Sequence, residues 1–380
     1  MKQKSEIMHT ANRDSATGAL SIPIYNASTY HQADVENPQE WEYGRGGNPT
    51  RGALEELLAT LENGTAGFAF SSGMAAMTAA IMAFVKAGDH IVATRDIYGG
   101  SYRLLTGFLP KFGVTHTFVD MTDPRSVERA IAKSTTLILL ETPSNPLLRI
   151  TDIEAVAAIA KKHGILTLLD NTFMTPYLQR PLDLGIDVSV HSATKFLGGH
   201  SDLIAGAVIV KAPELAGAVK FTQNTCGAVL GPQDSWLLIR GIKTLSARMD
   251  TQSANALHVA KWLTAQPWTA QVYYPGLPEH PGHEIFKRQA TGYGAVVSIK
   301  TDTVERALTL MKRVKLWNVA VSLGGVESIM SYPRLMSHAS IPAAEREELG
   351  ITDTVLRLSI GLEDVEDLIE DLAQATVIPL

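Results

Sequence analysis

The chain has 380 residues, 45% hydrophobic and 19% charged, with 33 basic and 39 acidic side chains for a net charge of −6. At about 150 residues per domain this is material for about two or three domains with a sizeable core, which excludes a disordered or fibrous chain. The mild acidity compels no face toward nucleic acid, no segment approaches the ~18 apolar residues of a membrane span, and the one cysteine, Cys226, supports neither an internal disulfide nor a cysteine-rich zinc site. The expectation is a cytoplasmic protein in a reducing compartment, with a polar start, Met1 to Glu6, that lacks the apolar core of a secretory signal.

Residues 1–45 are polar and aromatic-rich, with Pro23, Tyr25, Tyr30, Trp41 and Tyr43 but no long periodic run, and read as an arm. From residue 66 a βα rhythm predicts a strand over Gly67–Phe70, a helix over Met74–Val85 and a strand over His90–Thr94. Helix over Tyr102–Phe112, strand over Thr115–Val119, helix over Val127–Ala132 and strand over Leu137–Leu140 follow. Asp152–His163 reads as a helix, acidic at its start, basic at its end and stopped by Gly164. Ile165–Leu169, Val188–Val190 and Ala205–Val210 read as further strands, and residues 234–264 as one long helix. Beyond Pro267, strands over Ala295–Ile299, Leu316–Leu323 and Val355–Ile360 alternate with helices over Val304–Lys315 and Val365–Ala375. The division expected is an arm (1–45), a large α/β unit (46–240) and a C-terminal α+β unit (241–380). Continuous apolar strands alternating with helices indicate a parallel sheet covered on both faces, with ligands beyond the strands' carboxyl ends.

Four such ends carry polar groups. Ser71-Ser72-Gly73-Met74 opens a helix and is either a phosphate seat or a plain helix cap. Asp170 follows five apolar residues and is either a paired carboxylate or an N-cap. Ser192-Ala193-Thr194-Lys195 places two hydroxyls at alternate positions beside a lysine, which alone also reads as a solvated loop. Asn145 lies between two prolines, where a turn asparagine is the bland reading. Phosphate donors, a lysine and a carboxylate meeting at one sheet edge are what pyridoxal phosphate needs: an amine for its aldehyde and an acid to keep its ring nitrogen protonated.

The same residues carry a resemblance. Tyr43-Gly44-Arg45 with Asn48-Pro49-Thr50-Arg51, Ser71-Ser72-Gly73-Met74-Ala75-Ala76, Asp96-Ile97-Tyr98-Gly99-Gly100 and Glu141-Thr142-Pro143-Ser144-Asn145-Pro146 come first. Asp170-Asn171-Thr172-Phe173, His191-Ser192-Ala193-Thr194-Lys195, Gly198-Gly199-His200-Ser201-Asp202, Ser322-Leu323-Gly324-Gly325-Val326-Glu327-Ser328 and Arg357-Leu358-Ser359-Ile360-Gly361 follow in order. Over essentially its whole length the chain resembles the Cys/Met-metabolism family of pyridoxal-phosphate enzymes. Cystathionine lyases and synthases, methionine γ-lyase and homoserine sulfhydrylases belong to it. The resemblance implies an α/β, aspartate-aminotransferase-like (fold type I) large domain with a mostly parallel seven-stranded sheet, plus a smaller α+β domain.

It implies that Lys195 holds pyridoxal 5′-phosphate and later shuttles the proton, that Asp170 pairs with the ring nitrogen, and that Tyr98 stacks on the ring and assists amine exchange. Gly73, Met74, Ser192 and Thr194 hold the phosphate, joined by Tyr43 and Arg45 from the neighbouring subunit, so a homo-oligomer, commonly a dimer of dimers, is implied. Arg357 binds the carboxylate of a small sulfur amino acid, with Ser322, Asn145 and Tyr43 nearby. Strand alternation sets Arg357 opposite Leu356 and Leu358, clear of the apolar face; a solvated strand arginine also fits that pattern. No metal is expected, because His191, His200 and Asp202 match no metal spacing and read as packed or solvated.

Family members that work on γ-leaving groups typically carry a glutamate just before Ser-Leu-Gly-Gly; here it is Val321. Methionine γ-lyases are also apolar there but carry a cysteine after Tyr-Gly, where this chain has Gly100. Thr172–Pro176 and Gln179–Gly185 are similar to the Bacillus-type β-lyase branch. The expected reaction is β-elimination of L-cystathionine to homocysteine, pyruvate and ammonia. The alternatives are γ-elimination of cystathionine or methionine, and the γ-replacement of cystathionine γ-synthase or O-acetylhomoserine sulfhydrylase. An inactive binding protein would have no need of Lys195, Asp170 and Tyr98 together.

Overall fold

A computed structural model describes residues 1–376 apart from Asn12 and Ser15. Those two arm positions and residues 377–380 of the expected C-terminal unit lie outside the described residues. Seven strands form the first sheet: β1 (Ala66–Phe70), β2 (His90–Thr94), β3 (Thr115–Val119), β4 (Thr135–Glu141), β5 (Leu166–Asp170), β6 (Val188–His191) and β7 (Gly206–Val210). Their order is β1-β7-β6-β5-β4-β2-β3. β3, β2, β4, β5 and β6 run parallel, and β7 runs antiparallel to both β6 and β1. The inner strands are largely apolar because both faces are covered, by two separate apolar clusters, whereas β3 at the sheet edge is mixed and half-exposed. β1, β2, β4, β5 and β6 all end at one edge, where Ser71, Arg95, Thr142, Asn171 and Ser192 follow them.

The second sheet, in order β10-β11-β12-β9-β8, joins β8 (Thr269–Tyr273), β9 (Val296–Thr301), β10 (Asn318–Val319), β11 (Ile329–Ser331) and β12 (Val355–Ser359). Only β10 and β11 pair in parallel. The expected strand over Leu316–Leu323 reduces to Asn318–Val319, because the chain turns away at Ser322, whose φ is +85°. The single helix expected over 234–264 is two, Pro232–Ile242 and Leu245–Thr264, broken at Lys243-Thr244.

Among the helices that lay outside the sequence reading, three concern the arm and the first sheet. α1 (Gln3–His9) gives the arm an anchor, since Ile7 is fully buried in the large core. α2 (Pro49–Glu62) is capped by Asn48, whose Oδ1 accepts from Thr50 N at 3.0 Å and Arg51 N at 3.2 Å, with Pro49 at its first position. Leu54, Leu57, Leu58 and Leu61 form its buried stripe, each contributing about 1.5–3 kcal/mol of transfer free energy. Pro213–Cys226 is the third. α3 (Gly73–Phe84) follows β1, and Ser72 Oγ caps it by accepting from Ala75 N at 3.0 Å. The helix Ile153–His163 starts at Asp152, which accepts from Ala155 N at 3.0 Å, and stops at Gly164. No helix among the described residues is long and apolar enough to cross a membrane.

Candidate active site

The strand ends and the second sheet meet in one cleft. After β6 the chain turns back on itself: Lys195 N donates to Ser192 O (3.1 Å) and Gly199 N to Lys195 O (2.8 Å). The expected alternation of Ser192 and Thr194 therefore does not hold, because these residues form a turn. Ser192 faces α3, whereas the Thr194 hydroxyl is tied to Ala205, donating to its O (3.1 Å) and accepting from its N (3.0 Å). The buried guanidinium of Arg248 clamps the turn, donating to Phe196 O (2.6 Å) and Leu197 O (3.3 Å).

Lys195 Nζ donates to Ser322 Oγ at 2.6 Å. Burial, with Arg357 as second cause, pulls its amine down to about 8, so a minor but far larger neutral and nucleophilic fraction than that of an ordinary lysine exists at neutral pH. The carbonyl of the same Ser322 accepts from Arg357 Nη2 at 2.6 Å. Arg357 Nη1 donates to Asn145 Oδ1 at 3.0 Å, and its Nε has no partner among the described residues. The arginine is 2% exposed, so the solvated-strand reading fails; burial lowers it to about 10, still protonated at neutral pH. An unpartnered N–H on a buried, charged, planar fork suits a carboxylate.

Asn145 is held from two sides. Its N–H donates to Glu141 Oε1 (2.9 Å), and its carbonyl lies 2.9 Å from His338 Nε2. His338 is fully enclosed, and burial followed by the nearby Arg357 lowers it to about 4, leaving it neutral. Glu141 Oε2 accepts from Tyr98 N at 2.9 Å. Asp170 sits opposite Glu141 in the β4–β5 register. Burial pushes Asp170 up, against the lowering donors of Thr172; burial and then Asp170 itself push Glu141 well above the carboxylate range.

A third contact region joins α3 to the turn. A Cβ on Gly73 would come within 2.7 Å of Ser192 Cβ and 2.8 Å of its Oγ, so only glycine allows this approach. The backbone N–H groups of Gly73 and Met74 have no acceptor among the described residues and open toward the cleft end of the helix. This is a seat for an anion. A side chain at Gly100 would meet Met74 Sδ at 2.7 Å and the Tyr98 ring.

Lys195, Ser322, Arg357 and Asn145 are thus directly linked. Tyr98 and Asp170 join them through Glu141, and Gly73, Met74 and Ser192 adjoin. Tyr43 and Arg45 do not: both are exposed, with Arg45 over the Tyr43 ring (5.6 Å) and donating to Asn224 O (2.6 Å), and no hydrogen bond among the described residues connects them to the cleft. Glu141 and His338 are site residues the sequence reading missed. Glu141 carried the same signal as Asp170, an acid closing an apolar strand; His338 carried none. His191 is packed, fully buried with Nε2 2.6 Å from Glu62 Oε1, and His200 Nδ1 lies 2.8 Å from Gly198 O.

Comparison with known proteins adds to this geometry. The sequence pattern of the family described as Cys/Met metabolism PLP-dependent enzyme matches residues 4–377. A cystathionine beta-lyase of Bacillus subtilis is 52% identical over 98% of this chain and 95% of its own length. A cystathionine gamma-lyase of the same organism is 51% identical over 99% of both. The crystal structure of a cystathionine gamma-lyase from Lactobacillus plantarum, complexed with L-serine, superposes with a TM-score of 0.97 at 45% identity, covering 99% of this chain and 98% of that one.

Proposed function

The chain belongs to the Cys/Met metabolism family of pyridoxal-phosphate-dependent enzymes, and from that membership and the cleft's chemistry we propose that it is a carbon–sulfur lyase splitting L-cystathionine by β-elimination into homocysteine, pyruvate and ammonia. The cleft's donor set fits the cofactor in three places. Lys195 offers a neutral amine to an aldehyde. The free N–H groups of Gly73 and Met74, with Ser192, offer a seat to a phosphate, and Thr194 braces the turn. Asp170 is a half-buried acid with no ion-pair partner among the described residues, suited to a protonated ring nitrogen.

Bound pyridoxal phosphate supplies an electrophilic carbon and a ring that stabilises negative charge at the substrate's α-carbon. The protein's residues do the rest. Arg357 binds the substrate carboxylate through its unpartnered side. Asn145 and Ser322 hold that guanidinium in place. Lys195, with its amine free once substrate is bound, would remove the α-proton and carry it. Tyr98 would stand against the bound ring and assist the amine exchange.

The observation that carries β- over γ-elimination is Val321. It is 65% exposed beside Ser322, and its apolar side chain offers no acid–base group for the second deprotonation, at the β-carbon, that loss of a γ-leaving group requires. The crowding at Gly100 adds support, since a cysteine there would press on Met74 and Tyr98. The near-equal identity to the Bacillus γ-lyase keeps a γ-reading in contention, and one assay separates the two. Incubated with cystathionine, the purified enzyme is expected to yield pyruvate as its main keto acid. Predominant 2-oxobutyrate would overturn β-elimination.

Tyr43 and Arg45, exposed and detached from the cleft of their own chain, are placed by this reading against the phosphate of a neighbouring subunit. The arm, residues 1–45, then completes a partner's site, and the working unit is a cytoplasmic homo-oligomer, a dimer of dimers. The reading also divides the remaining chain into a cofactor-binding domain (46–240) and a C-terminal α+β domain (241–380).

A pH dependence follows from Lys195. Only its neutral amine attacks an aldehyde, and the amine loses its proton as pH rises through about 8. The rate at which cofactor-free protein takes up pyridoxal phosphate is therefore expected to climb about tenfold per pH unit below 8 and to level off above it. Stopped-flow absorbance checks this; a rate flat from pH 6 to 8 would count against the lowered amine.

A further inference from the structure

Glu141 does more than close β4. One oxygen accepts from the N–H of Tyr98 and the other from the N–H of Asn145, both at 2.9 Å. Tyr98 is the residue the proposed function sets against the ring, and Asn145 Oδ1 holds Arg357. A single carboxylate thus sets the backbone on the cofactor side and on the substrate-carboxylate side. It also stands level with Asp170 on the adjacent strand, and register partners in a parallel pair share a sheet face.

The charged groups around the two acids do not neutralise them. Asp96, from the loop after β2, adds a third negative group, itself matched by Arg149 (3.7 Å) and by the hydroxyl of Ser144. Arg357 from β12 acts on Glu141 at longer range while bonded to Asn145 and Ser322, and His191 from β6 acts on Asp170 while bonded to Glu62. Tyr98 and Thr172 contribute backbone N–H donors and no cation. Buried Glu141 and its half-buried neighbour Asp170, with no cation ion-paired to either among the described residues, do not both ionise readily; one proton stays with the pair.

We propose that Glu141 is a positioning residue that shares one proton with Asp170 in the cofactor-free protein and releases it to solvent when a protonated ring nitrogen is seated on Asp170. The fully ionised Glu141 then accepts stronger, charge-assisted hydrogen bonds from Tyr98 and Asn145. Seating the ring thereby tightens the backbone that carries the substrate-carboxylate pocket. No covalent bond changes; one proton moves from the acid pair to water. The proposal rests on Asp170 as partner of the ring nitrogen and is independent of which sulfur amino acid is cleaved.

The test uses pyridoxamine 5′-phosphate, which has the ring and phosphate but no aldehyde, so Lys195 forms no bond with it. Calorimetric titration of the cofactor-free full chain, in two buffers of different ionisation enthalpy, counts the protons released. At pH 7 the wild type is expected to release about one proton per subunit and Glu141→Gln about none. Asp170→Asn is expected to bind the probe at least about tenfold more weakly. Equal release by wild type and Glu141→Gln overturns the role of Glu141, while unchanged affinity in Asp170→Asn overturns the ring-nitrogen assignment beneath it. Should Glu141→Gln fail to fold, infrared difference spectra of the wild type serve instead. A protonated-carboxyl band that disappears on probe binding is expected, and its absence from the difference spectrum overturns the proposal.

Discussion

Lys195→Ala is expected to lower turnover of cystathionine by at least about 10⁴-fold while leaving the protein folded. In the proposed mechanism the substitution removes both the amine that holds the cofactor and the base that moves the α-proton, and general acid–base catalysis alone typically accounts for about 10²–10⁴-fold. The fold should survive, because the turn that carries Lys195 is fixed by backbone contacts and by the Arg248 clamp, none of which uses the lysine side chain. Lys195→Arg should rescue nothing, since a guanidinium stays protonated and is no nucleophile. Pyruvate release under saturating substrate measures the loss, with circular dichroism as the folding control. A variant retaining even a tenth of wild-type turnover would remove Lys195 from the chemistry.

Arg357→Leu is expected to lower kcat/KM by about 10²–10³-fold, the scale for deleting one partner of a buried, hydrogen-bonded charge pair. Most of the effect should appear in KM, because the carboxylate is held alike before and during the reaction. Arg357→Lys should recover only part of it. A lysine keeps the charge, but it cannot bond Asn145 Oδ1 and the Ser322 carbonyl at once while offering a third N–H to the substrate. Steady-state kinetics of the two variants give the check. An unchanged KM in Arg357→Leu would mean that the substrate carboxylate is bound elsewhere.

The inner parallel strands were legible because burial on both faces makes them largely apolar runs, and the polar residues that end β4, β5 and β6 marked the cleft; the edge strand Thr115–Val119 is mixed and half-exposed and was legible by its β-branched residues. The same property hid strand direction. Nothing in Gly206–Val210 distinguishes it from its parallel neighbours, although it runs antiparallel between β1 and β6. α2 was legible in principle, through Asn48-Pro49 and the spacing of its four leucines, but it lies next to an arm without periodicity and was passed over with it. The break at Lys243-Thr244 has no proline or glycine between the two helices to announce it. Ser322 was read into a strand because its apolar neighbours fit one, whereas contacts from Lys195 and Arg357 hold it at a positive φ that sequence alone does not forecast. Arg357 was placed on the correct side of its strand by alternation. Its burial was not legible, because the acceptors that stabilise it come from Asn145 and Ser322, far away in the chain.

Ser322 touches the amine of Lys195 with its side chain and the guanidinium of Arg357 with its backbone, so one residue fixes the spacing between these two groups. In the proposed binding mode the substrate amine is on the cofactor and its carboxylate on Arg357, and two such contacts alone accept either mirror image. The α-hydrogen facing Lys195 is the third contact, and it is the one that tells them apart. Under that reading handedness falls to Lys195 as base, and Ser322, held in a left-handed backbone, sets how far that base stands from Arg357.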